Sequence, residues 1–434
     1  MSVFQLSVGA QCYDWGKLGL DSKVAQFAQC SPEFTVNEAK PYAELWMGTH
    51  PSLASKVFKT GETLKAHLTL HPELLGVKVR AKFGDDLPFL FKVLAIRKAL
   101  SIQAHPDKAL AQKLHRERPD IYKDGNHKVR ANSPQPGFTH PIPEMAVAIT
   151  DFCGFCGFLP VEKIAEYLSF VPELTELVNK PIAEAFRMAV TEPQPTYETV
   201  EACLRDVFTR LMSAEDADVQ RQVQNLIARY EDGQAKPAEE GVKDLAIELN
   251  KQYPGDVGIF CVFLLNVVKL HAGQAVFLKA NEPHAYIYGD IMECMATSDN
   301  VVRAGLTPKL RDVPTLTSML TYKWGPADSQ IMPPVKYRTT KATTIYDPPI
   351  EEFSVLMTCL KAGENETHEP IDGPSILIIT EGGGRLVWTE KDGSQQEEAL
   401  DKPGIVYFAG AGVALEFAAG ENGITVYRAI TEVP

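Results

Sequence analysis

"GQAVFLKANEPHAYIYGDIMECMA" (Gly273–Ala296) decides how this chain is read. After Gly273 come a short β-type run, a turn and then His284, with β-type character continuing beyond it. Strand-sized runs separated by Gly and Pro signals predict antiparallel β-structure. A histidine just past such a turn can point into the space its strands enclose. The same character recurs upstream, to about Phe158, in "YAELWMG", "LPFLFKVL", "ALSIQAH" and "EMAVAIT". It recurs downstream from Ile350 in "FSVLMTCLKA", "SILIITEGGGRLVWTE", "GIVYFAGAGVALEFAAG" and "ITVYRAI", with turns at "EGGG", "KDG" and "GENG".

Between these β regions the period changes. "PVEKIAEYLSFVPELTELV", "TYETVEACLRDVFTRLMS", "AEDADVQRQVQNLIARYED" and "PAEEGVKDLAIELNKQY" carry apolar residues three and four apart, which predicts helices. Thr196 with Glu198, and Ser213 before an acidic turn, are expected helix starts. The expected architecture is mainly β with an α-helical insertion. Residues 1–158 and 254–315 form one unit, 159–253 the helical insertion, 316–349 a partly β linker, and 350–434 a second β unit.

Composition narrows the function. A net charge of −13 repels a nucleic-acid backbone, so no nucleic-acid partner is expected. No apolar run reaches the roughly 18 residues of a membrane span. The longest, "VGIFCVFLLNVVKL", is stopped by Lys269 and reads as a buried segment. "MSVFQLSVGAQ" lacks the basic start and apolar run of a secretory signal. The eight cysteines are scattered among apolar neighbours, which suits reduced thiols and a cytoplasmic location. Cys153 and Cys156 form a CxxC without a second pair at zinc-ribbon spacing, and read as structural.

Chemistry concentrates in three places. In "SIQAHPDK", Gln103 and His105 are two apart, so on a strand both reach one point. "NHK…PEM" holds His127, Lys128 and Glu144, and the opening stretch holds His284. Imidazole and oxygen donors together suit Zn²⁺ or a similar divalent ion. Any one of these histidines alone reads as a satisfied core residue; the three segments together do not.

"YDWGK", "AELWMGTHPS", "LPFLFKVL", "LSIQAHPDK", "YKDGNHK", "PEMAVAI", "LKANEPHAY" and "GDIMECMATSDNVVRAGLTPK" run in order from Tyr13 to Lys309. In them the chain resembles the type I mannose-6-phosphate isomerases, or phosphomannose isomerases, of the cupin superfamily. That resemblance implies two cupin-type jelly-roll β-barrels plus a helical domain, the C-terminal barrel degenerate. It implies one zinc held by Gln103, His105, Glu144 and His284. It implies interconversion of mannose 6-phosphate and fructose 6-phosphate through an enediol intermediate, in the service of mannose activation. Proton transfer between C1 and C2 needs a base, a proton donor and a cation near the developing oxyanion. Glu293 is the base or orients it, Arg303 is the fixed cation, and Lys128 is a further acid–base candidate. Lys309 takes the phosphate as a mobile point charge. Trp15, Tyr286 and Ser101 are expected at the sugar. Cys294, on the opposite strand face from Glu293, is expected in the core. A monomer is expected.

The chain departs from that family at one place. There "NHK" runs directly into "PEM"; here Val129–Ile142 intervene. Pro134, Pro136, Pro141 and Gly137 keep this stretch from running as a central strand. Closing such a loop costs roughly 2.3 kcal/mol plus a constant, which a fold survives. The expectation is an outward excursion with Glu144 kept on the metal. The alternatives are displacement of His127 and Lys128, competition by His140 for the metal, or a sugar-phosphate-binding relative impaired by the insertion. A cupin iron oxygenase would want two histidines and a carboxylate, and Gln103 at a ligand position argues against it.

Overall fold

The computed structural model describes residues 1–122, 144–296, 300–390 and 392–433. Lys128, His127, His140 and the Val129–Ile142 stretch lie outside the described residues.

Two large antiparallel sheets dominate, and the long strand His284–Ala296 organises the first. Its C-terminal half pairs with Phe89–Ile96 on one side and Glu144–Ala148 on the other. Its N-terminal half pairs with Phe152–Phe158 and, at His284, with Gln103 of Ile102–Ala104. One strand thus serves two half-sheets, and it turns at Gly289. The φ there is 119°, and a Cβ would sit 2.7 Å from the Asp151 carbonyl oxygen, so only glycine fits.

The two faces of this sheet do different jobs. Phe91, Val93, Met145, Val147, Met292 and Cys294 join Ile376, Ile378, Phe408 and Tyr427 in a core shared by the two sheets. Cys294 is therefore core, as expected from its parity. The alternate positions, Lys92, Glu144 and Glu293, face the other way. Period-two alternation thus puts three charged side chains on one face.

The second sheet is built on Ser375–Thr389 and Leu415–Ile430, with Ser354–Leu360 and Val406–Ala409 as neighbours. The strand Val3–Ser7 pairs with Val406–Ala409, so the first strand of the chain lies in the C-terminal sheet. The jelly-roll expectation needs one correction. The hydrogen-bonded order of each sheet is open, and neither closes into a barrel.

The helical segment runs from Val161–Phe170 through Glu240–Gln252. Thr196 caps Tyr197–Met212 by accepting from the Thr199 N–H, as its position before Glu198 predicts. Ser213 does not start a helix: it ends Tyr197–Met212, and the next helix, Asp216–Glu231, is preceded by Glu215. "VGIFCVFLLNVVKL" is buried as expected, folded as a 3₁₀ turn, Val257–Phe263, and then the strand Leu265–Leu270. Cys153 and Cys156 are free, buried thiols. Among the described residues no helix is long and apolar enough to cross a membrane.

Candidate metal centre

Three strands bring the donors together. His284 opens the long strand, Gln103 lies opposite it, and Glu144 opens the strand paired to the other half. His105 follows Gln103 at the end of its strand. Donor atoms of His105, Glu144 and His284 all lie within 4.8 Å of one another, and all three residues are buried. His105 Nε2 is 3.0 Å from one Glu144 oxygen, and His284 Nε2 is 3.5 Å from the other. Gln103 Nε2 sits 3.3 Å from His105 Nε2, while Gln103 Oε1 accepts from the Ser101 hydroxyl at 3.2 Å. A half-turn of the amide presents its oxygen to the cluster instead.

The far nitrogens fix both imidazoles. His105 Nδ1 donates to the Asn300 carbonyl at 2.8 Å, and His284 Nδ1 donates to the Glu282 carbonyl at 3.1 Å. Each Nε2 is thereby aimed at the cluster, the arrangement that backs metal-ligating histidines. His284 Nε2 is buried and makes no hydrogen bond. An orphaned nitrogen, an imidazole, a carboxylate and an amide converging on one point fit a Zn²⁺ site. Burial alone would lower the His105 pKa, but Glu144 beside it raises it. Burial alone would raise Glu144, and His105 and His284 hold it well below the usual carboxylate range. A cation bound here would meet the Glu144 charge, and binding would compete with protonation of the imidazoles.

Beside this cluster is a buried ion pair that the motif reading did not single out. Lys92 Nζ lies 3.1 Å from Glu293 Oε2 in a directly opposed cross-strand pair. Burial pushes the Glu293 carboxyl up to about 7; Lys92 opposes that rise and Glu144 adds to it. The lysine also lies over the Trp46 ring at 5.1 Å. The signal was in the sequence: Lys92 is the one charge in Phe89–Ile96, a strand buried throughout. The Asn300 and Glu282 carbonyls left no such signal, because backbone acceptors carry no residue type.

The other expected residues separate into two groups. Tyr286 is buried, its hydroxyl facing Glu293 without closing a full hydrogen bond. Trp15 packs half-buried against the group that holds Tyr286 and stacks on Tyr13. Arg303 lies directly across from Gln103 and has no ion-pair partner among the described residues. Burial lowers its pKa. It lines a cavity of about 150 Å³ with Tyr122, Asn300, Leu310 and Asp312. Lys309 stands apart: it is exposed, with its backbone N–H on Thr307 Oγ1 at 3.1 Å.

Comparison with known proteins agrees along the whole chain. Family descriptions for the catalytic domain, helical insertion domain and C-terminal part of phosphomannose isomerase type I match residues 3–161, 177–265 and 344–390. A mannose-6-phosphate isomerase of Cryptococcus neoformans is 48% identical over 99% of both chains. One of Saccharomyces cerevisiae is 43% identical, again over 99% of both. A solved, zinc-bound mannose 6-phosphate isomerase superposes with a TM-score of 0.77 at 28% identity over 100% of both chains.

Proposed function

The chain belongs to the type I phosphomannose isomerase family, and from that premise we propose that it interconverts mannose 6-phosphate and fructose 6-phosphate by proton transfer through an enediol. It is an aldose–ketose isomerase with one zinc as cofactor. The observation that carries the reading is the convergence of His105, Glu144 and His284, with Gln103 beside them, next to the Lys92–Glu293 pair.

Gln103, His105, Glu144 and His284 hold the metal. Bound there, zinc supplies a positive centre that polarises the sugar's oxygens. Glu293 takes the proton and returns it, because a carboxyl near pH 7 does both at little cost. Lys92 pairs with the charge that Glu293 carries before it takes the proton and again after it returns it. Arg303, free of an acidic partner among the described residues, meets the developing oxyanion. Lys309, exposed to solvent, receives the phosphate. Tyr286 and Trp15 wall the sugar, and Ser101 fixes the Gln103 amide. Lys128 is a further acid–base group for the same reaction.

We also assign 1–158 with 254–315 to the catalytic unit, apart from the strand Val3–Ser7 that pairs into the second sheet, 159–253 to the helical insertion and 350–434 to the second β unit, with 316–349 between them. Limited proteolysis within 316–349 checks that division. The protein is a cytoplasmic monomer in this reading, which light scattering of the purified chain and cell fractionation address.

The test is conversion of mannose 6-phosphate to fructose 6-phosphate by the full chain with zinc supplied. Robust turnover is expected. A folded, zinc-loaded sample without turnover would overturn the assignment, and substrate binding without turnover would support the impaired relative instead.

A further inference from the structure

We infer that the exit of the helical insertion, Gln252–Gly258, is a two-sided clamp that positions both arms of the site: the metal arm through Ala99 and the cation arm through Leu306. This deepens the isomerase reading and rests on it.

One side of the clamp holds Ala99. Its N–H donates to Gln252 Oε1 at 2.8 Å, and its carbonyl accepts from the Tyr253 hydroxyl at 2.6 Å. Both backbone groups of one residue are therefore satisfied by two successive side chains at the end of the last insertion helix. Gln252 is itself held, its Nε2 donating to Glu248 at 3.0 Å. Burial pushes the Tyr253 hydroxyl up to about 12, so it stays a donor. Lys98 caps the tyrosine ring at 4.2 Å. Ala99 leads straight into Leu100, whose N–H donates to the Tyr286 carbonyl, and then to Ser101, Gln103 and His105. Its placement fixes where that short strand starts.

The other side holds the stretch after Arg303. Asp256 Oδ1 accepts from the N–H groups of Gly258 and Leu306, both at 2.7 Å, and Oδ2 accepts from Thr307 at 3.2 Å. Leu306 has a φ of 52°, a left-handed conformation that leucine avoids. Such backbone persists only where its surroundings over-determine it, and Asp256 does this here. The approach is close on both sides. A Cβ on Gly258 would lie 2.7 Å from the Leu306 nitrogen, and one on Gly305 would lie 2.7 Å from the Gly258 Cα. The stretch so held joins Arg303 to Lys309.

The residues concerned are not among the metal donors and act through the backbone of other residues, so they are positioning residues. The two arms are paired strands, with Arg303 opposite Gln103, so the two sides are told apart by which readout each variant moves more. In the full chain, Gln252→Ala with Tyr253→Phe should weaken zinc retention about 10-fold in a chelator competition, in the range found when partners of metal ligands are removed. Asp256→Asn keeps one acceptor oxygen but turns a donor toward the Thr307 N–H. It should raise KM for mannose 6-phosphate several-fold and change zinc retention much less than the Gln252 and Tyr253 changes do. Melting temperatures measured alongside report loss of fold. Equal losses of melting temperature with wild-type zinc retention and wild-type KM would overturn the clamp, and so would both variants having their larger effect on the same readout. If the wild-type chain turns out not to isomerise, the isomerase reading fails by itself, and the chelator competition still decides the metal arm.

Discussion

Both sheets bury histidine, but only one makes a metal centre of it. In the first, His105 and His284 converge on Glu144. In the second, His368 is fully buried at the end of Asn365–His368. Its Nε2 lies 3.0 Å from the Thr343 hydroxyl and 3.2 Å from that of Thr358; its Nδ1 faces the Arg428 guanidinium at 3.3 Å. Arg428 is itself buried, and among the described residues no carboxylate stands within ion-pair range of it. A guanidinium repels what a carboxylate collects. The pKa directions follow: His105 is raised, and burial with Arg428 beside it drives His368 down to about 3. One buried charge of opposite sign separates a site from a packing contact.

The strongest way to break this comparison is Glu144→Gln. Removing the charge from a buried, paired carboxylate costs about 3–5 kcal/mol, so zinc retention should fall by roughly three orders of magnitude, and turnover with it. Zinc bound at wild-type strength in a folded Glu144→Gln protein would mean the carboxylate is not what sets the two sheets apart. Glu293→Gln sharpens the same contrast from within the first sheet. It should lower kcat by roughly 10²–10⁴-fold with zinc retained. Metal analysis beside kinetics checks that split.

In the second sheet the effects are smaller and fall on stability. His368 stays neutral in the fold, while the unfolded chain takes up a proton below about pH 6.5. The unfolded state then binds more protons, so stability falls with pH from about 6.5 toward 3, by at most about 1.4 kcal/mol per pH unit. Melting curves of wild type and His368→Gln across that window should converge at neutral pH and separate below it. Parallel curves would remove His368 from the account. Smallest of all, Arg428→Met replaces a buried cation lacking a carboxylate partner. It should leave turnover unchanged, shift stability by no more than about 1 kcal/mol, and make the His368 pH dependence shallower.

What could be read from sequence followed from parity. "GDIMECMA" alternates, so Glu293 and Cys294 had to part, and they do: one faces the metal cluster and the other the shared core. Gln103 and His105 share a face for the same reason. Lys92 was legible as a lone charge in a buried run but is easily passed over, because a single lysine reads as an edge or an error. His368 was not legible. Its neighbours are polar and exposed, and only the sheet closing over it shows that it points inward. The bend at Gly289 was equally hidden: a glycine among β-formers signals a turn, whereas here the strand continues through it into a second half-sheet.

The pairing of Val3–Ser7 with Val406–Ala409 has a consequence for biosynthesis. During translation the early strand can pair with Lys56–Val57 soon after it leaves the ribosome, but its other edge waits for Val406–Ala409, and its apolar side chains must wait in solution or in a chaperone's keeping. The second sheet is therefore completed after synthesis rather than during it, and pairings this distant in sequence are slow to form. A message cut short before Val406 would release a chain with an open, sticky edge, which makes late nonsense products candidates for aggregation and prompt degradation.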